Sequence, residues 1–355
     1  MTDRQYVPKR VRRPELVGLA ALVGAGVLLM AIGARWVTGA LAAVVLGLVL
    51  ASVVWLIVTA VAGGPEARRK VAPYGLLKPG ALWLALFYLA PIVTLLRLSL
   101  STLPSRFAVE ADFDWNFGNY ADAFTDFGPQ FQRAFLYAAI ATVLTIAIGY
   151  PLAYVIAFRG GRYRSLLLGL VIVPFFTSYL IRTIAWRSLL ADTGWVVQTL
   201  DWLQLSGLLD AVGIMDNGRI LQTPAAVIGG LTYNFLPFMV LPIYVSLEKV
   251  DPRLVDAAQD LYSTSSAAFR KVVLPLSVPG VFAGTLLTFI PAAGDFVNAL
   301  YLGSPSTTMI GNSIQDQFLV QNDVPLASAM SFVLMAIITV LVVIYSRFFG
   351  TEELA

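Results

Sequence analysis

VDAAQDLYSTSSAAFRKVVLP, residues 255–275, is a polar and charged run in a chain that is otherwise apolar. Of the 355 residues, 58% are hydrophobic and only 13% are charged, and the mean hydropathy is +0.78. A soluble fold of this length has no room to bury so much apolar surface, so the chain reads as an all-α polytopic membrane protein. A membrane protein that keeps twenty-one solvated residues between two hydrophobic spans must have a use for them outside the bilayer.

The rest of the composition narrows that use. The net charge is +3, and the basic residues are scattered over several loops, which argues against a nucleic-acid surface. Cysteine and histidine are both absent, so disulfides, thiolate metal sites and the commonest proton-relay side chain are excluded. Chemistry on a substrate is not expected, and neither is a metal or cofactor in this chain.

A helical span needs roughly 20 apolar residues. Eight candidates lie at about 16–34, 37–62, 81–100, 134–158, 165–190, 223–247, 276–299 and 327–348. With the N-terminus inside, the cytoplasmic segments hold 17 of the 24 basic residues, as the positive-inside bias requires. The other side is acidic, with Glu110, Asp112, Asp114, Asp122 and Asp126 in one loop and Asp192, Asp201, Asp210 and Asp216 in another. Both termini and the 255–275 stretch are therefore expected in the cytoplasm.

The first two spans, with the basic tail, form residues 1–62. A basic start, an apolar run and AIGA before Arg35 also describe a signal peptide, but a second span follows at once, which fits a helical hairpin better. Its Gly and Ala content suits close helix packing in lipid. GGPEARRKVAPYGLLKPG (63–80) reads as a cytoplasmic linker, and 81–350 as a six-span core. No internal repeat stands out.

Within the core, Asp251 followed by Pro252 is a helix start, with an N-cap carboxylate and a proline at the first helical position. Leu254, Val255, Ala258 and Leu261 then recur at helical spacing opposite Asp256 and Asp260, which predicts a short amphipathic helix. STSS at 263–266 is a second start signal, leading to Phe269, Val272 and Val273 on one side. The expectation is two short helices with a turn near Tyr262, ended by Pro275 at the membrane: a rigid knob.

This stretch resembles the docking loop of permease subunits of binding-protein-dependent ABC importers. Their pattern is E-A-A, three residues, G, nine residues, I, one residue, L-P. Here Asp256, Ala257 and Ala258 take the first three places, Tyr262 that of the glycine, and Val272, Leu274 and Pro275 those of Ile, Leu and Pro. Asp256 is one methylene shorter than the usual Glu. Tyr262 lacks glycine's freedom at positive φ, so the turn takes another form or carries strain of about 1 kcal/mol.

The resemblance implies that the loop, 248–275, inserts into a groove on a cytoplasmic ABC ATPase dimer, with Asp251 at its start. It implies a second homologous permease subunit, an extracytoplasmic binding protein and a bacterial inner-membrane location. ATP and magnesium belong to the ATPase, since none of the five lysines follows a glycine and no Walker A sequence exists here. The plainer reading of the loop is an ordinary interfacial helix.

Three further segments, 173–196, 232–261 and 289–318, resemble those of spermidine/putrescine importer permeases, within a likeness covering most of 81–350. Asp295 falls in an expected span, where a charge costs about 2.5–3.5 kcal/mol on insertion scales. It is either an acidic group on a polycation's path, as the resemblance implies, or an ion-pair partner of Arg182, Arg187 or a second permease. Arg182 is a poor ligand for a cation, and a packing or gating role suits it better. Trp186, Tyr233, Asn234 and Asn298 are candidate cavity liners, with interhelical hydrogen bonding the alternative for each. Prolines 174, 237, 242, 279 and 291 fall inside spans, where kinks line cavities in transporters. The rival readings are the same architecture with another cargo (ferric iron, phosphonate, another amine) and an ion-coupled secondary transporter using Asp295.

Overall fold

In a computed structural model of the chain, the described residues are 83–105, 111–262 and 264–349, together with Gly80 and Ala108. The expected hairpin and nearly all of the linker lie outside them. The chain divides into two units, Met1–Arg97 and Leu98–Ala355. The described part of the first is helical, with a π turn Ala85–Leu89 leading into α1 (Ala90–Ser99). Its apolar portion, Phe87–Ser99, is shorter than a full span; the expected 81–100 span also includes residues 81 and 82, which are not described.

The second unit is a helical bundle with one two-stranded ribbon, β1 (Ser101–Thr102) against β2 (Asp112–Phe113). α2 (Gly118–Tyr154) follows, and Asn119 ties its first turn to the preceding chain by donating to the carbonyls of Ser99 and Ser101, both at 2.9 Å. With the π turn Val155–Arg159 it makes one apolar helix of 42 residues, Gly118–Arg159.

α7 (Pro224–Glu248) forms the centre. Thr223 caps it by accepting from the Ala226 amide at 3.3 Å, and Pro224 opens its first turn, where the missing N–H costs nothing. Its apolar window is 61% buried, against 28% for each of the two long helices that follow it, so α7 is the most enclosed of the three. Small residues let its neighbours approach closely. α10 (Leu274–Ala293) crosses it at Gly280 and Gly284, where an added Cβ would lie 2.5 Å from the Pro242 carbonyl and 2.7 Å from the Met239 sulfur. Gly149 of α2 does the same against Met239 and Val240. α13 (Val324–Phe349) completes the long helices.

Among the described residues, four helices are long and apolar enough to cross a membrane, and a bent pair makes a fifth if it is one span. That pair stands where one span was expected at 165–190, and it is bent rather than continuous. The 3-10 turn Gly161–Tyr163, α3 (Arg164–Ile172) and a second 3-10 turn, Val173–Phe176, lead to a 96° bend, after which α4 (Tyr179–Leu190) and α5 (Trp195–Trp202) continue. The cause is local. Thr177 and Ser178 have ψ of 147° and 135°, and the Thr177 hydroxyl and amide both bond back to the Pro174 carbonyl, which closes the first helix before α4 starts. Prolines 237, 242, 279 and 291 lie inside continuous helices instead.

After α5 come α6 (Ser206–Ala211) and a loop in which Arg219 pairs with Asp192 at 3.1 Å. Between α7 and α10 lie α8 (Pro252–Tyr262), α9 (Ser265–Ala268) and a π turn, Phe269–Val273. Past α10 the chain breaks at 294–296, then forms α11 (Val297–Leu302) and, before α13, α12 (Ile310–Leu319). The expected span 276–299 therefore ends at Ala293, and Asp295 sits in the break rather than inside a span.

Candidate functional site

The 251–275 stretch forms the expected two short helices. The Asp251 carboxylate accepts the Arg253 amide at 2.9 Å, so α8 begins where its proline and cap allow. Ala258 faces inward and is buried, while Asp256 and Ala257 are exposed. Tyr262 is the last helical residue of α8, and the turn comes after it. Thr264 is extended (φ −141°, ψ 135°) and its hydroxyl accepts from the Ala267 amide at 3.3 Å. A threonine cap thus starts the second helix with no left-handed residue at 262, which is the other form of turn that a tyrosine there requires.

The knob is anchored by aromatic packing. The Phe269 ring stands edge-on to Tyr150 and Tyr154 of α2, with centroids 5.8 and 5.7 Å away. Val273 is fully buried among Ile156, Ile243 and Leu247, and Val255 of α8 packs on the same cluster. The Tyr150 hydroxyl bonds Ser277 at 2.7 Å, linking α2 to α10 just past the knob. Val272 is half-buried, and Leu274 and Pro275 are exposed. At the same end of the bundle Arg164 pairs with Glu248 at 3.0 Å and lies over the Tyr244 ring.

A second cluster lies where the helices break. The Asp295 carboxylate, 8% exposed, accepts the Tyr179 hydroxyl at 2.6 Å on one oxygen. Its other oxygen accepts the Asn298 amide at 2.8 Å and the Asn298 side-chain nitrogen at 3.2 Å. That nitrogen also donates to the Tyr179 hydroxyl at 2.6 Å. Asn234 of α7 donates to the Asn298 oxygen at 3.1 Å and to the Thr183 hydroxyl at 3.3 Å. One network therefore staples α4, α7 and α11. The break itself is held from behind: the Asn312 side chain donates to the Phe296 carbonyl at 2.7 Å, and Gly311 lets α12 approach so closely that a Cβ would lie 2.7 Å from the Gly294 carbonyl.

Among the described residues no ion pair joins Asp295 to Arg182 or Arg187. Arg187 is exposed. The Arg182 guanidinium lies 5.6 Å from the Tyr179 ring centroid and 5.9 Å from that of Phe175. Its Nε and Nη1 are buried and make no hydrogen bond among the described residues. Trp186 and Tyr233 meet edge to face at 5.2 Å, apart from the network's hydrogen bonds. Tyr179 and Thr183 were not singled out from the sequence. Their spacing of four residues places them on one helix face, but which helices that face meets depends on the bend before α4.

Residues 145–350 match the family described as the inner membrane component of binding-protein-dependent transport systems. The chain belongs to that family. This permease is 37% identical over 268 residues to the spermidine/putrescine transport system permease protein PotB of Haemophilus influenzae, covering 75% of this chain and 90% of the relative. It is 36% identical over 270 residues to PotB of Escherichia coli K12, covering 75% and 93%. Its fold is shared with a chain of a bacterial ABC transporter that imports the polysaccharide alginate, at a TM-score of 0.58 and 18% identity over 80% of this chain and 96% of that one. The permease is thus a multi-pass protein of the bacterial inner membrane, and the 251–275 knob lies inside the family match.

Proposed function

We propose that this permease forms the translocation pathway of an ATP-driven polyamine importer. The observation that carries the cargo is the 37% identity over 268 residues with a relative named for spermidine and putrescine transport. The chemistry of the break supports it: Asp295 is a buried carboxylate whose partners are all neutral, so a polycation supplies the charge it lacks. Asn298 holds it in place and Asn234 holds Asn298, the Trp186 and Tyr233 rings supply aromatic faces along the pathway, and Arg182 and Arg187 gate.

In this reading the knob points into the cytoplasm and docks on an ABC ATPase dimer through Asp256 and Ala257, exposed on α8. ATP and magnesium are held by those partners. ATPase closure pushes α8 and α9. The push divides at Phe269, which bears on α2 through Tyr150 and Tyr154 and leads by the π turn into α10. Both helices tilt against α7, and the pathway opens outward to a loaded binding protein. A second homologous permease completes the pathway. The N-terminal hairpin adds two spans to the six-span core, giving eight with both termini in the cytoplasm. Uptake of labelled spermidine or putrescine by proteoliposomes holding the assembled complex tests the cargo. Uptake of ferric iron or a phosphonate in its place would refute it.

A further inference from the structure

An acidic and a basic side chain both lie against one tyrosine. The Tyr179 hydroxyl occupies an Asp295 carboxylate oxygen at 2.6 Å, and the Tyr179 ring lies 5.6 Å from the Arg182 guanidinium. Neither charge has an ionic partner among the described residues, and two guanidinium nitrogens of Arg182 lack any acceptor. An ionisable side chain buried without an ionic partner carries its desolvation cost uncompensated. Such an arrangement persists when a second state uses the pair.

We propose that Arg182 and Asp295 are a latent ion pair, held open by Tyr179, that closes the pathway when Tyr179 withdraws. This deepens the import reading above and rests on it. Two independent features place the device at a joint between helices. Tyr179 and Arg182 stand in the first turn of α4, immediately after the 96° bend, and Asp295 stands in the break between α10 and α11. A shift of either joint changes the reach of Arg182 without unfolding a helix. The network fixes which oxygen is at stake. Asn298 holds one carboxylate oxygen through its own backbone amide, so the oxygen held by Tyr179 is the one that Arg182 takes over. A cationic cargo group arriving at Asp295 competes with Arg182 for that oxygen, which ties opening to the presence of cargo.

Tyr179→Phe keeps the ring and its packing but releases the carboxylate oxygen. In the assembled complex it lowers uptake about tenfold, the factor expected when one hydrogen bond to a charged group changes hands. Adding Arg182→Gln removes the competitor and restores uptake to the level of Arg182→Gln alone. A structural readout separates this device from the cargo assignment. The chain has no cysteine, so Ser178→Cys with Phe296→Cys reports the approach of the two breaks by thiol cross-linking in the nucleotide-free complex. Cross-linking rises with Tyr179→Phe and returns to its starting level with Tyr179→Phe/Arg182→Gln, whatever the cargo. Wild-type uptake by Tyr179→Phe, or a double variant as defective as Tyr179→Phe alone, would overturn the proposal.

Discussion

Gly280→Ala is expected to loosen the contact on which the bundle is centred. An added Cβ at 280 lies 2.5 Å from the Pro242 carbonyl oxygen and 2.6 Å from the Ser246 hydroxyl, where ordinary contact begins at 3.4 Å. The nearest atom belongs to backbone, so α7 and α10 must separate by a large part of an ångström. Overpacking of this kind costs about 2–3 kcal/mol, and the better helix propensity of alanine returns about 1 kcal/mol. The net loss is about 1–2 kcal/mol, a fall of roughly 3–6 °C in the unfolding midpoint of the solubilised protein. Gly229→Ala in α7 is the matched control, because nothing lies within 4 Å of its Cβ. It gains the propensity alone and raises the midpoint by about 2 °C. Intrinsic fluorescence or light scattering during a slow thermal ramp reads both. A Gly280→Ala variant at least as stable as Gly229→Ala would refute the close crossing of α7 and α10.

Two further substitutions address coupling. Asp256→Lys, on the exposed side of α8, leaves insertion and fold intact but reverses the charge offered to an ATPase; co-purification and ATP-driven uptake are both lost. Phe269→Ala empties the edge-on contact with Tyr150 and Tyr154. It lowers stability by about 3 kcal/mol and lets the assembled complex hydrolyse ATP with little uptake, as measured by phosphate release and transport in one preparation.

Much of this architecture is written plainly in the sequence. The span expected at 223–247 is α7, Pro224–Glu248, because Thr223 and Pro224 mark its start and its apolar run has no break. The knob is equally legible, since Asp251, Pro252 and Thr264 are local caps whose effect does not depend on the rest of the fold. The bend at Thr177–Ser178 is not, because hydropathy sums over a window and passes through two polar residues without registering them. Asp295 shows the same limit. Its place in an apolar run suggests a span, but α10 ends at Ala293 with Gly294 as its C-cap, the Asp295 carboxylate takes the Asn298 amide at the start of α11, and Asn312 and Gly311 secure the break from distant sequence. Tyr179 and Thr183 join the network only after that bend turns α4 toward α7 and α11, a tertiary fact with no local signature.

The central claim is that the work of transport enters through the 251–275 knob from an ATPase. Its most direct test is labelled polyamine uptake into proteoliposomes holding the assembled complex, with ATP supplied to the ATPase side and ion gradients collapsed by ionophores. The account predicts uptake that requires ATP and loaded binding protein, survives the ionophores and disappears with Asp256→Lys. Uptake that persists without the ATPase subunits and collapses with the ion gradient would contradict it.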